Sequence, residues 1–185
     1  MATAPLALEY PWYTVISGDE LEQGHILEAC PVFVPPDELA HHSVEPESQV
    51  PFPCEHTDVI VMSQTCDLMK DREKLNDVLL CAVWGQTDLK EDNTFSKVEN
   101  WENARRGRFP AFHVLAKCEI KEHDRAVRLV DFRRLYSLPL SFVRARAEAS
   151  SRIRLMPPYR EHLSQAFARY FMRVGLPADI PKFKK

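Results

Sequence analysis

Glycine is scarce in this chain, 5 residues against 14 prolines, so its connections read as stiff and extended. Long apolar runs are missing too: the longest, such as 59–62, are strand-sized and far short of the roughly 18 residues of a membrane span. Residues 1–13 carry no basic stretch ahead of an apolar segment, so neither secretion nor membrane insertion is expected. The cysteines lack paired spacing. There are five, Cys30, Cys54, Cys66, Cys81 and Cys118, an odd number without C-x-x-C, which reads as free thiols in a reducing compartment and points to the cytoplasm. No G-x-S-x-G elbow, P-loop or H-E-x-x-H is present, so no family-independent signature names a reaction or a cofactor.

What is present suffices for a globular domain. A chain of 185 residues, 45% apolar and 28% charged, can bury roughly two thirds of its unfolded surface without a metal or a disulfide. The net charge of −3 hides a division. Residues 1–100 hold 5 Lys/Arg against 19 Asp/Glu, a balance of −14, whereas residues 101–185 hold 19 against 8, a balance of +11. Fourteen of those cations are arginines between Arg105 and Arg173, and arginine's fork suits phosphate and carboxylate alike. Such a split fits a basic surface for nucleic acid or for an acidic protein, or else internal neutralisation across one domain.

Apolar runs bounded by turn residues predict strands near 12–16, 25–34, 58–63, 78–84, 112–120 and 126–135. Residues 35–53, rich in Pro, Glu, Ser and His, predict a long loop. Phe95, Val98 and Trp101 recur at helical spacing, with Asn93 or Thr94 to cap and Gly107 to stop a short helix. A further helix is expected over 139–149. The clearest element is 158–174, where Pro158 suits the first turn and Gly175 the stop, and where Tyr159, Leu163, Ala166, Phe167, Tyr170 and Val174 share one face. The expectation is one α+β domain over 1–185. A strand-rich body (1–150) forms a small antiparallel barrel-like sheet of about five to seven strands, and a C-terminal helical segment (151–185) packs on it.

The run Asp58-Val-Ile-Val-Met-Ser-Gln-Thr-Cys-Asp67 is an apolar strand that ends in reactive side chains. Strand ends on a rigid scaffold can hold such groups in fixed geometry, so Ser63, Gln64, Cys66 and Asp67 are candidate catalytic residues, with His113 as a possible base. The competing reading is a buried structural cysteine beside an Asp67 that closes a turn, and a structural His113. One zinc ion cannot collect Cys54, His56 and Cys66 across an extended strand of roughly 20 Å, so no metal is expected. His41 and His42 read as solvated loop residues. Downstream, Val127-Arg-Leu-Val-Asp-Phe-Arg-Arg-Leu-Tyr136 alternates cation and apolar residues, and Arg133, Arg134, Arg144 and Arg146 are candidate anion or nucleic-acid ligands.

The Val-Ile-Val-Met-Ser-Gln-Thr-Cys-Asp-Leu strand end, the Leu-Val-Asp-Phe-Arg-Arg-Leu-Tyr-Ser-Leu-Pro segment and the 154–177 tail resemble an uncharacterised bacterial family with an S-Q-[ST]-C-D strand end. That likeness covers about residues 55–180 and implies a bacterial origin without an activity. More distantly, the order of the His25 strand, the Ser63 strand end and the Asp131 strand is similar to PemK/MazF-like toxin barrels, which cleave RNA. The chain departs from their pattern where Cys66-Asp67 stands and where their Arg-Pro and Asn-rich loop elements are missing. The leading expectation is a non-enzymatic binding module whose arginine-rich C-terminal half engages RNA or an acidic protein. The alternative is a Cys/Asp-centred hydrolase or PemK/MazF-like endoribonuclease. The sequence leaves the oligomeric state open.

Overall fold

β-branched and apolar residues at period two give the chain its sheet, and turn residues cut it into short strands. In the computed structural model, residues 10–37 and 51–172 are described. The first half runs β1 (Tyr13–Ile16), β2 (His25–Phe33), β3 (Cys54–Val61), α1 (Thr65–Leu68), β4 (Asp77–Gly85) and α2 (Val98–Arg105). The second runs β5 (Phe112–Leu115), a 3-10 turn at Lys121–His123, β6 (Arg128–Pro139), α3 (Leu140–Glu148), β7 (Arg152–Leu155) and α4 (Tyr159–Phe171). The strands form one antiparallel sheet in the order β1-β7-β2-β3-β4-β6-β5. This is the expected α+β class with a barrel-like sheet, but the sheet does not close.

Two irregularities bend it. In β2 the register slips between Leu27 and Cys30, where Ala29 sits at φ 46° and gives its N–H to Asp58 Oδ1 at 2.9 Å. In β6, Leu135 pairs with Cys81 and Asp131 with Ala82, so Phe132, Arg133 and Arg134 bulge out of the ladder. The buried Asp131 carboxylate holds that bulge by accepting the Arg133 backbone N–H at 3.0 Å and its guanidinium at 2.9 Å. Bulges raise local twist. The sheet curls until the edge strands β1 and β5 face each other across a seam, which the Tyr13 hydroxyl spans to donate to the Ala116 carbonyl at 2.7 Å.

Both faces of the central strands are buried, which explains why β3 and β4 read as continuous apolar runs. One face gathers Ile26, Ile60, Met62, Cys81, Phe132 and Leu155 under α4, whose Leu163 is fully buried. The other gathers Leu27, Val59, Val61, Val78 and Leu80 under α3 through Val143 and Ala147, with Leu68 of α1. A third cluster, Phe95, Ala104 and Leu129, seats α2 beside β5.

Several boundaries differ from those the sequence predicts. β3 begins at Cys54 and not near 58, because its first residues are polar and exposed on both sides. β5 stops at Leu115, after which only a Cys118–Arg125 bridge continues the pairing. α2 starts after Lys97, since the Asp92 carboxylate takes the Thr94 and Phe95 N–H groups in a turn that precedes it. β7 and α1 are additions. Val174, Gly175 and most of the 35–53 loop, with His41 and His42, lie outside the described residues. Among the described residues no helix is long and apolar enough to cross a membrane.

Candidate functional site

The Ser63–Asp67 segment turns the chain from β3 into α1, and its two hydroxyls are occupied by backbone. The buried Ser63 hydroxyl accepts the Leu79 N–H at 2.9 Å. Thr65 Oγ1 accepts the Gln23 N–H at 3.2 Å, while Gln23 Nε2 donates to the Met62 carbonyl at 2.8 Å. Gln64 is exposed, and its backbone carbonyl accepts the Asp67 N–H. Asp67 binds Lys74 at 3.0 Å, and that hydrogen bond holds its carboxyl below the usual range. Cys66 is exposed, so it is not a core cysteine; its thiol lies 3.6 Å from Asp67 Oδ1.

His113 lies elsewhere. It is on β5, three strands from β3 in the sheet order, which is about 14 Å at the usual strand spacing. It also packs by Phe132 on the α4 face, at 6.5 Å between ring centroids, whereas α1 packs through Leu68 on the α3 face. The structure therefore brings Ser63, Gln64, Cys66 and Asp67 together and leaves His113 apart. Burial, with His162 nearby, depresses the His113 pKa to about 4, so its imidazole is neutral at pH 7, and its buried Nε2 has no partner among the described residues. Cys54 and His56 lie in β3, and among the described residues no three His, Cys, Asp or Glu side chains are placed to hold a metal ion.

The four candidate arginines also separate. Arg144 is spent on Glu73 at 2.7 Å and on the Leu68 carbonyl at 2.9 Å. Arg133 is bound by Asp131 and lies over the Phe112 ring at 4.4 Å. Arg134, on the β6 bulge, and Arg146, on α3, are exposed and make no ion pair among the described residues. Four other arginines meet carboxylates of the acidic half. Arg125 and Arg128 reach Glu28, and Arg154 and Arg160 share Glu22.

A different arrangement occupies the seam. Between α2 and α4, along the open edge of β5, lies a cleft of about 480 Å³. Arg105 and Arg106 enter it from the end of α2, His113 from β5, and His162, Gln165 and Arg169 from α4. Trp12 and Tyr159 form one wall, stacked at 3.7 Å and 11°, and Phe109 and Phe112 another. Among the described residues no carboxylate lines it. Glu102, just outside, takes both Arg105 and Arg106 and is pulled down to a pKa of about 2 by those hydrogen bonds, so the two arginines keep one uncompensated charge. Arg169 is exposed and makes no ion pair among the described residues. Sequence reasoning missed this group because α2 and α4 are distant in the chain. The signal it passed over was Arg105-Arg-Gly-Arg-Phe109, three cations and an aromatic in five residues. Compared with known protein families the chain matches no family model, and a search of curated proteins finds no match.

Proposed function

We propose that the protein is a binding module that holds single-stranded nucleic acid, RNA foremost, in the cleft between α2 and α4. The observation that carries this reading is the cleft's lining, among the described residues, of three arginines and aromatic faces without a carboxylate, while arginines such as Arg125, Arg144 and Arg160 are paired elsewhere. Guanidinium groups hold phosphates, and aromatic faces stack on bases of any sequence, so the expected binding is sequence-tolerant. Of the arginines marked in the sequence, Arg133 touches this site through Phe112, and Arg134 follows it on the bulge. A hydrolase centred on Cys66 draws no support from the separation of His113 and Cys66.

Fluorescence polarisation with a labelled ten-nucleotide RNA at 50 mM NaCl tests the reading. Saturable binding is expected, with a log–log salt slope of about −2 for three phosphate contacts. Arg169→Glu and Arg105→Glu should each weaken it at least tenfold, and Arg72→Glu, exposed beyond α1, should not. Absence of binding to RNA and DNA at low salt, or an Arg169→Glu protein that binds as wild type does, rejects the cleft. Tighter binding of polyglutamate than of RNA would assign the cleft to an acidic protein.

A further inference from the structure

The loop between β5 and β6 meets the link between α3 and β7. The Lys121–His123 turn, pinned by the His123 N–H on the Ile120 carbonyl at 2.8 Å, presents His123, which is 7% exposed. Facing it, Ser151 leaves the end of α3 and lies open to solvent. Ser151 Oγ stands 3.3 Å from His123 Nε2. When the neutral imidazole carries its proton on Nδ1, Nε2 is the acceptor for the serine hydroxyl, the relation a nucleophile needs with its base.

The pair lies in a recess of about 190 Å³ whose floor is Ile26 and Leu27. Two arginines border it, and they differ. Arg152 is committed to the Gly18, Glu20 and Ala147 carbonyls. Arg146 has no partner among the described residues and is an exposed cation bordering the recess. Glu28 is held by Arg125 and Arg128, whereas Glu122 brings an exposed negative charge that repels anionic ligands. The volume lies below the roughly 300 Å³ of a site for a drug-sized molecule. An apolar floor, a small volume and one free charge of each sign favour a short, uncharged acyl group.

We propose that Ser151 and His123 are a nucleophile and general base that hydrolyse esters of short, uncharged acyl groups in this recess. Ser151 Oγ attacks the acyl carbon while His123 Nε2 takes the hydroxyl proton, and the oxyanion that forms is balanced by the Arg146 guanidinium. The C–O bond to the alcohol breaks as His123 returns the proton to the departing oxygen. Water, deprotonated by the same nitrogen, then cleaves the acyl–Ser151 ester to release the carboxylic acid, and the proton goes back to Ser151. Ester and water become acid and alcohol, with no metal or redox partner.

The full chain treated with a fluorophosphonate probe should carry a single adduct on Ser151 in peptide mass mapping, and it should turn over p-nitrophenyl acetate. Ser151→Ala should lose the adduct and at least a hundredfold of the turnover, and Ser150→Ala should behave as wild type. His123→Gln should slow labelling at least a hundredfold. If that buried change prevents folding by circular dichroism, Arg146→Ala is the second test, with a tenfold loss in kcat and little change in KM. No adduct on Ser151, an adduct elsewhere, or equal turnover by Ser151→Ala overturns the proposal. It is independent of the nucleic-acid cleft, since Arg169→Glu should leave ester turnover untouched.

Discussion

His25 is 1% exposed, and its Nδ1 accepts a hydrogen bond from Arg152 Nε at 3.2 Å. The Arg152 guanidinium also ties down the carbonyls of Gly18, Glu20 and Ala147, which join the β1–β2 link to the end of α3. Burial first, and then the cations Arg152, Arg154 and Arg160, hold the His25 pKa at about 3. His113 is held at about 4 by burial. Both imidazoles fold neutral, whereas in the unfolded chain they protonate near pH 6.5. Between roughly pH 4 and 6.5 the unfolded state thus binds two more protons than the folded one. Their contribution to stability is full above pH 6.5 and falls by up to about 2.7 kcal/mol per pH unit below it. Urea midpoints should drop steeply from pH 7 to pH 5, and His113→Gln should roughly halve that slope. A flat profile over this range would contradict the neutral assignment of both residues.

At the level of elements, α4 shows what a face drawn from sequence captures. Tyr159, Leu163, Ala166, Phe167 and Tyr170 do lie against the sheet, but Leu163 is the fully buried member, and Phe167 is half-exposed, edge-on to Phe132 at 5.4 Å. Leu163→Ala should therefore cost about 3–4 kcal/mol and Phe167→Ala about 1–2 kcal/mol, read from chemical denaturation. The reverse order would mean that α4 sits rotated. Helices and central strands were legible because their apolar periodicity survives in the folded core. β7 was not: Arg152-Ile-Arg-Leu155 alternates charge with aliphatic, yet Arg152 is buried and hydrogen-bonded and Arg154 lies against Glu22, so both faces are used. The three-residue bulge in β6 was equally hidden, since the carboxylate that makes it, Asp131, looks in sequence like any strand polar residue. Of the candidate site, the Ser63–Asp67 turn was legible as a polar strand end. Its backbone partners, Leu79 and Gln23, come from other segments and carry no sequence signal.

Across the whole molecule, part of the charge division of the sequence is consumed in folding. Acidic residues of the first hundred positions meet arginines of the last eighty-five at Glu22–Arg160, Glu28–Arg125 and Glu73–Arg144, at 3.2, 2.5 and 2.7 Å. Glu22 is one node of this pairing and serves two partly buried arginines, Arg154 and Arg160. Glu22→Gln should lower stability by about 1–2 kcal/mol, more than an exposed pair is worth, and a double cycle with Arg160→Gln should recover part of that loss. A Glu22→Gln protein with the wild-type urea midpoint would reduce the charge division to a surface effect.

β1 pairs with β7, Tyr13 opposite Leu155, so two strands about 140 residues apart in the chain are neighbours in the sheet. During synthesis at roughly 5–20 residues per second, β1 waits on the order of ten seconds for its partner. Over that interval β1 has no strand beside it and β2 lacks its second neighbour. The nascent chain thus carries open edges that the finished molecule covers, and its risk of wrong association lies on the ribosome, before the last strand arrives.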